Sequence, residues 1–192
     1  LMTACVIIGL PAPLLPIHLL WINLVTDGLP ALCLATDKID SDVMKRTPRK
    51  RSKKITDGSF FLTMLLTGFL TAGVAFAVYL YILQNQSTQT ARTYAFAVLV
   101  FAELLRSFGA RSETKYVWQI SLFTNINLVM VVALSFGLQI LSQHWNVLGV
   151  FLKTTYMPFS DVIILIALGT IPLLALEVTK IVKKHFRETK KI

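Results

Sequence analysis

Five stretches of this chain, at about 14–36, 59–83, 93–110, 120–142 and 160–182, are long apolar runs separated by short charged blocks. Each is close to the 17–25 residues with which a helix crosses about 30 Å of hydrocarbon. Inside a bilayer, backbone N–H and C=O groups must be satisfied within a helix or a closed barrel. Barrel strands alternate polar and apolar residues with a period of two, and these runs are apolar throughout. The predicted fold is therefore all-α, a polytopic transmembrane helix bundle that forms a single transmembrane domain over 1–192. Composition agrees: 55% of the 192 residues are hydrophobic and 15% charged, against about 25% charged in a soluble domain. Disorder, a disulfide scaffold, a coiled coil and an ordinary soluble enzyme are excluded.

Residues 1–9 (LMTACVIIG) are apolar from the first position and lack the positive n-region of a signal peptide. They read as the end of a preceding, partial span, broken by Gly9-Leu10-Pro11-Ala12-Pro13 because proline cannot continue a helix. The prediction is five full spans plus this partial one.

The formal net charge of +9 is unevenly placed: eight of the 19 basic residues fall in 38–54 and six in 180–191. No aromatic residues interleave with the first cluster and no nucleic-acid motif appears, so the charge points to a bilayer rather than to nucleic acid. With the basic loop 37–58 in the cytoplasm, the inner segments hold 16 Lys/Arg and the outer ones only Arg92 and Lys153. The positive-inside rule then places the C-terminal tail inside, and Trp145 and Tyr156 at the outer interface. Cys5 and Cys33 stand in apolar runs, far from any metal-ligand spacing, and read as packing residues.

Charged side chains within spans cost about 2.5–3.5 kcal/mol each on insertion scales and are functional candidates by default. Asp27, in WINLVTDGLPA, and Glu103, in LVFAELLRS, stand out. Asn23, Thr26 and Asp27 are spaced i, i+3, i+4, which on an α-helix places them on one face. That face offers an amide, a hydroxyl and a carboxylate, the all-oxygen chemistry of hard cations. Pro30 has no N–H for the carbonyl of Thr26, and Gly28 makes unwinding easy, so the span is expected to unwind near Gly28-Pro30. Broken helices of this kind build mid-membrane ion sites in transport proteins. The plainer reading is interhelical hydrogen bonding that holds a bundle together.

Glu103 has a structural alternative too, an ion pair with Arg106 at i+3. His18 reads as a hydrogen-bonded core residue and Glu177 with Lys180 as an interfacial pair. Pro172 is expected to kink the last span, and Gly68, Ala72 and Gly73 to form a stripe where another helix approaches closely.

Residues 19–31, LLWINLVTDGLPA, closely resemble the sixth transmembrane helix of P-type cation pumps, in particular the sarcoplasmic/endoplasmic reticulum-type calcium-ATPases and their bacterial relatives. Gly9-Leu10-Pro11 with Pro16 resembles the preceding turn. Asp40-x-Asp42-x-Met44-x-Arg46-x-Pro48-Arg49 is similar to the loop after that helix, and 93–113 to the eighth helix. The last two spans match mainly in hydropathy and spacing.

The resemblance implies metal ligands at Asn23, Thr26, Asp27 and Glu103, Ca²⁺ as the transported ion, and proton counter-transport. From ligand chemistry alone Mn²⁺ or Na⁺ stay open. It further implies a pump several times longer, because the family's DKTGT, TGES and GDGxND motifs do not occur here. No catalytic residue is then expected in this chain, and Mg²⁺ and ATP are expected only in missing cytoplasmic domains. The implied partners are the bilayer, the pump's N-terminal helices and those domains, which would lean on the basic loop 38–54. A bacterial plasma membrane is the expected location. Arg106 departs from the reticulum-type pattern, where a neutral residue stands. Its charge favours an ionised Glu103 and repels a second divalent ion, so one Ca²⁺ per cycle is expected rather than two. An ion-coupled secondary transporter or channel is the alternative, but only one Gly/Pro-interrupted span is visible where such carriers show two. A purely structural module would leave Asp27 and Glu103 without a role.

Overall fold

The computed structural model describes residues 1–38, 58–112 and 114–189, with the side chains of 59 and 185–189 excepted. From residue 39 on, the basic loop and its Asp40–Arg49 pattern lie outside the described residues. Every regular element among the described residues is helical. Helix α1 (Met2–Ile8) ends on Gly9, whose φ of 75° is the left-handed conformation glycine adopts freely. Pro16 then opens α2 (Pro16–Trp21) at a position where its missing N–H costs nothing. A π-helical segment, Ile22–Gly28, follows without a gap, and α3 (Leu29–Ala35) completes the rod. The remaining helices are α4 (Gly58–Asn85), α5 (Thr88–Gly109), α6 (Ile126–His144), the short α7 (Asn146–Leu152) and α8 (Phe159–Thr189).

Caps explain several boundaries. Ser87 Oγ accepts the Thr90 N–H and starts α5 five residues ahead of its apolar run. Asn125 Oδ1 accepts the Leu128 N–H at the start of α6, while its amide donates to the carbonyl of Cys33 at 3.0 Å. Helix α8 runs as one continuous helix through Pro172.

Among the described residues four segments are long and apolar enough to cross a membrane: Pro16–Ala35, Phe60–Asn85, Leu122–His144 and Phe159–Lys184. Helix α5 falls short of that apolarity, and its position explains why. It packs against α4, α6, α8 and the π segment, and thirteen of its 22 residues are buried. A helix enclosed by other helices needs small and mixed side chains for packing rather than a lipid-facing coat. The outer helices show the reverse, with Phe69, Leu62 and Ile163 each more than 60% exposed.

Helix α8 packs tightly on α5. A Cβ added to Gly169 would lie 3.1 Å from the Ala102 nitrogen and 3.2 Å from the Phe101 Cβ. At Gly68 and Gly73 a Cβ would meet nothing within 4 Å. The small-residue stripe expected on α4 is thus uncovered by the described residues, and close packing falls on Gly169 instead.

Long-range polar contacts tie each end of the bundle. At the end bearing residues 9–15 and 145–158, here the upper end, Tyr79 donates to the Pro11 carbonyl at 2.8 Å and Arg92 to that of Ala12 at 2.7 Å. Tyr94 donates to Asp161 there. At the lower end Lys180 pairs with Glu177 at 2.8 Å and donates to the carbonyls of Gly109 and Lys115. With side chains 4% and 6% exposed, Glu177 and Lys180 are a buried pair, not the interfacial one expected from their place near a helix end. The carbonyls of the 109–115 turn, which need a donor away from water, draw the ammonium inward.

Candidate cation site

Pro30 governs the backbone at the site. Its ring crowds the carbonyl four residues back and it has no hydrogen to donate. The expected response was unwinding at Gly28-Pro30, and the structure corrects this. Gly28 (φ −64°, ψ −51°) and Leu29 (φ −66°, ψ −48°) are right-handed helical, and the turn before them widens into a π-helix. A π turn reaches five residues back and keeps its backbone groups paired, whereas an unwound segment at membrane depth would leave several of them unsatisfied. The fifth residue after Val25 is Pro30, with no N–H to give. Ser135 of α6 donates its hydroxyl to that carbonyl instead, at 3.4 Å. Gly28 fits for a related reason, since a Cβ there would sit 3.1 Å from the Asn23 carbonyl oxygen.

The wider winding also redistributes the side chains. On an α-helix Asn23, Thr26 and Asp27 would share one face; here they do not. Thr26 turns inward, 2% exposed, and its hydroxyl donates to the Ile22 carbonyl at 2.7 Å. Asn23 and Asp27 are exposed. Among the described residues no hydrogen-bond partner is found for either side chain, so both carry free oxygen donors.

Glu103 stands on α5, which packs against the π segment. Its side chain is 17% exposed and accepts a hydrogen bond from Arg106 Nη2, the i, i+3 pair expected from spacing. Asp27 lies within electrostatic reach of both Glu103 and Arg106. Glu103 alone is bonded to the guanidinium, and Asp27 feels its charge without touching it. Among the described residues no group of three or more His, Cys, Asp or Glu is placed to hold a metal. What the described residues offer is a partial oxygen set: the two carboxylates and the Asn23 amide, with the Thr26 hydroxyl engaged to the backbone.

His18 is fully buried and outside this set. Its Nδ1 accepts the Leu15 N–H at 3.3 Å, which leaves the proton on Nε2 to donate to the Leu152 carbonyl at 2.7 Å. Its ring stacks on Phe96 with centroids 4.4 Å apart. It is a core histidine, as expected.

Several polar residues that position the rod were not singled out in the sequence. Arg111 pairs with Asp37 at 2.8 Å, donates to both of its oxygens, and reaches the Ser121 carbonyl and the Thr124 hydroxyl. The guanidinium holds the Asp37 carboxyl below the usual carboxylate range. Nothing local marks a pair 74 residues apart. The buried polar residues of α6, Ser135, Gln139 and Gln143, recur every four positions, a signal that periodicity could have found.

An apolar multi-helix bundle with two ionisable residues at membrane depth is the class of a membrane transport domain. Residues 11–182 match the family described as "Cation transporting ATPase, C-terminus". The chain is 34% identical to calcium-transporting ATPase 1 of Bacillus cereus over 94% of its own length and 22% of that protein. It is 35% identical to the calcium-transporting ATPase of Bacillus subtilis over 89% of this chain and 19% of that one. To calcium-transporting ATPase type 2C member 2 of Rattus norvegicus it is 33% identical over 65% and 14%. The chain belongs to the cation-transporting ATPase C-terminal family, and it spans about a fifth of the length of the two Bacillus relatives.

Proposed function

We propose that this chain supplies the C-terminal part of the ion path of an ATP-driven P-type pump that moves Ca²⁺ out of the cytoplasm, with protons returning. The observation that carries the reading is Asp27 on the π segment, facing away from the described residues with unengaged oxygens and electrostatically linked to Glu103 and Arg106 on α5. Ca²⁺ takes six to eight oxygens, and the remainder would come from helices of the pump outside this chain. ATP, Mg²⁺ and the phosphorylated aspartate belong to its cytoplasmic domains. The name shared by the relatives favours Ca²⁺ over other hard cations.

Helix α5 is the fifth full span on this reading: its 22 residues reach about 33 Å at 1.5 Å per residue. The lower end, with the basic loop and the tail, faces the cytoplasm, and the membrane is a bacterial plasma membrane. Arg106 supplies fixed positive charge where a second divalent ion would need to sit, so one Ca²⁺ moves per cycle.

The test is Asp27→Asn in the full-length protein. Ca²⁺-dependent phosphorylation from ATP is expected to lose apparent Ca²⁺ affinity about tenfold or more, a change of about 1.4 kcal/mol or more, while the protein still purifies folded. Unchanged Ca²⁺ dependence overturns the site, and a stoichiometry near two Ca²⁺ per phosphoenzyme overturns the role given to Arg106.

A further inference from the structure

Helix α6 turns a polar stripe into the protein. Ser135, Gln139, Ser142 and Gln143 are all buried, and Gln139 is 0% exposed. Among the described residues the nitrogen and the oxygen of both glutamine amides have no hydrogen-bond partner. An amide taken out of water without a partner is costly, and two in succession on one helix face call for one explanation. Interhelical bonding, the usual use of polar residues in a bundle, is not made by either amide among the described residues. Nor can a segment from elsewhere in a longer chain reach Gln139, since this chain already encloses it.

The ends of the stripe are informative. At the upper end Gln143 and Ser142 line a cavity of about 690 Å³, together with Arg92, Lys153 and Asn146. At the other end Ser135 donates to the Val25 carbonyl, to which Pro30 has no N–H to give. Four residues of helix rise about 6 Å, close to two hydrogen-bond lengths in series. One water between successive side chains thus satisfies them without strain, and buried waters occupy such polar sites in protein interiors.

We propose that the inner face of α6 carries a hydrated polar path, from the upper-end cavity through Gln143 and Gln139 to Ser135 and the π segment, by which water and protons reach the cation site. That the path serves a cation site rests on the function proposed above; that it is hydrated does not.

The experiment uses the full-length protein with Cys5→Ala and Cys33→Ala, and single cysteines at Gln143, Gln139 or Val132. Val132 lies on the same buried face and is 5% exposed, in apolar surroundings. A small cationic methanethiosulfonate is added from the upper-end side and labelling is followed by mass. Only a hydrated thiol ionises to the reactive thiolate, so Gln139→Cys is expected to label about tenfold faster than Val132→Cys or more. Equal rates overturn the path, whatever the protein transports. In Gln139→Leu, phosphoenzyme breakdown is expected to slow about tenfold with Ca²⁺-dependent phosphorylation retained. Labelling at Gln139 with unaltered breakdown overturns the link to the cation site. A pump that never forms a phosphoenzyme fails the function proposed above, and the labelling arm still decides the path.

Discussion

Arg106 pairs with Glu103, and its charge reaches Asp27 as well. The guanidinium compensates the Glu103 carboxylate, and on the proposed function a cation entering beside Asp27 would meet a set whose net charge is −1 rather than −2. Removing the Glu103 charge alone would leave Arg106 uncompensated against the incoming ion. Glu103→Gln is therefore expected to weaken apparent Ca²⁺ affinity about tenfold or more. The double variant Glu103→Gln/Arg106→Gln is expected to regain about fivefold of that loss, a coupling of about 1 kcal/mol. Ca²⁺ titrations of phosphorylation on the four members of the cycle check it; additive losses would mean that the pair is only structural.

At the scale of elements, two contacts set where the site sits. The first fixes the lower end of the rod. The Asp37–Arg111 side chains are 14% and 4% exposed, and breaking a buried pair by removing one member costs about 3 kcal/mol. Arg111→Met is expected to lower thermal stability by that amount in detergent. The pair also sets a pH dependence. Arg111 depresses the folded carboxyl below its unfolded value of about 3.9, so this contribution is complete above that value. It is lost as pH falls from about 4 through the folded pKa. Melting curves between pH 3 and 6 should show a loss at the acid end that Asp37→Asn lacks. The second contact is α8 on α5. Gly169→Ala forces a methyl against the Ala102 backbone and the Phe101 Cβ, which cannot swing aside. Overpacking of this kind costs about 1–3 kcal/mol, and a drop in melting temperature is expected. An unchanged value would mean that α8 shifts freely.

At the scale of the whole molecule, charge and packing divide the work. The basic blocks favour one orientation, with the lower end and tail inside. A C-terminal fluorescent-protein fusion to the full-length protein is expected to fluoresce, and an alkaline phosphatase fusion at the same point to be inactive. Packing builds the bundle around α5, the least apolar long helix, so Glu103 and Thr26 turn inward while Asn23 and Asp27 stay on the outer face of the rod.

How much of this was legible depended on how local each cause is. The helical class, four of the apolar spans, the Glu103–Arg106 pair and the core role of His18 were all readable. Hydropathy sums along the chain, and an i, i+3 pair needs no other element. Tertiary structure decided the rest. Whether Pro30 would unwind or widen its helix turned on the backbone having to stay paired where Ser135 of α6 covers the Val25 carbonyl, 110 residues away. That choice turned Thr26 inward and left Asn23 and Asp27 facing out. The inward draw of Glu177 and Lys180, the α8 approach at Gly169 and the enclosed glutamines of α6 were set in the same way. Each depends on what a distant segment places beside it, and neither spacing nor hydropathy encodes that.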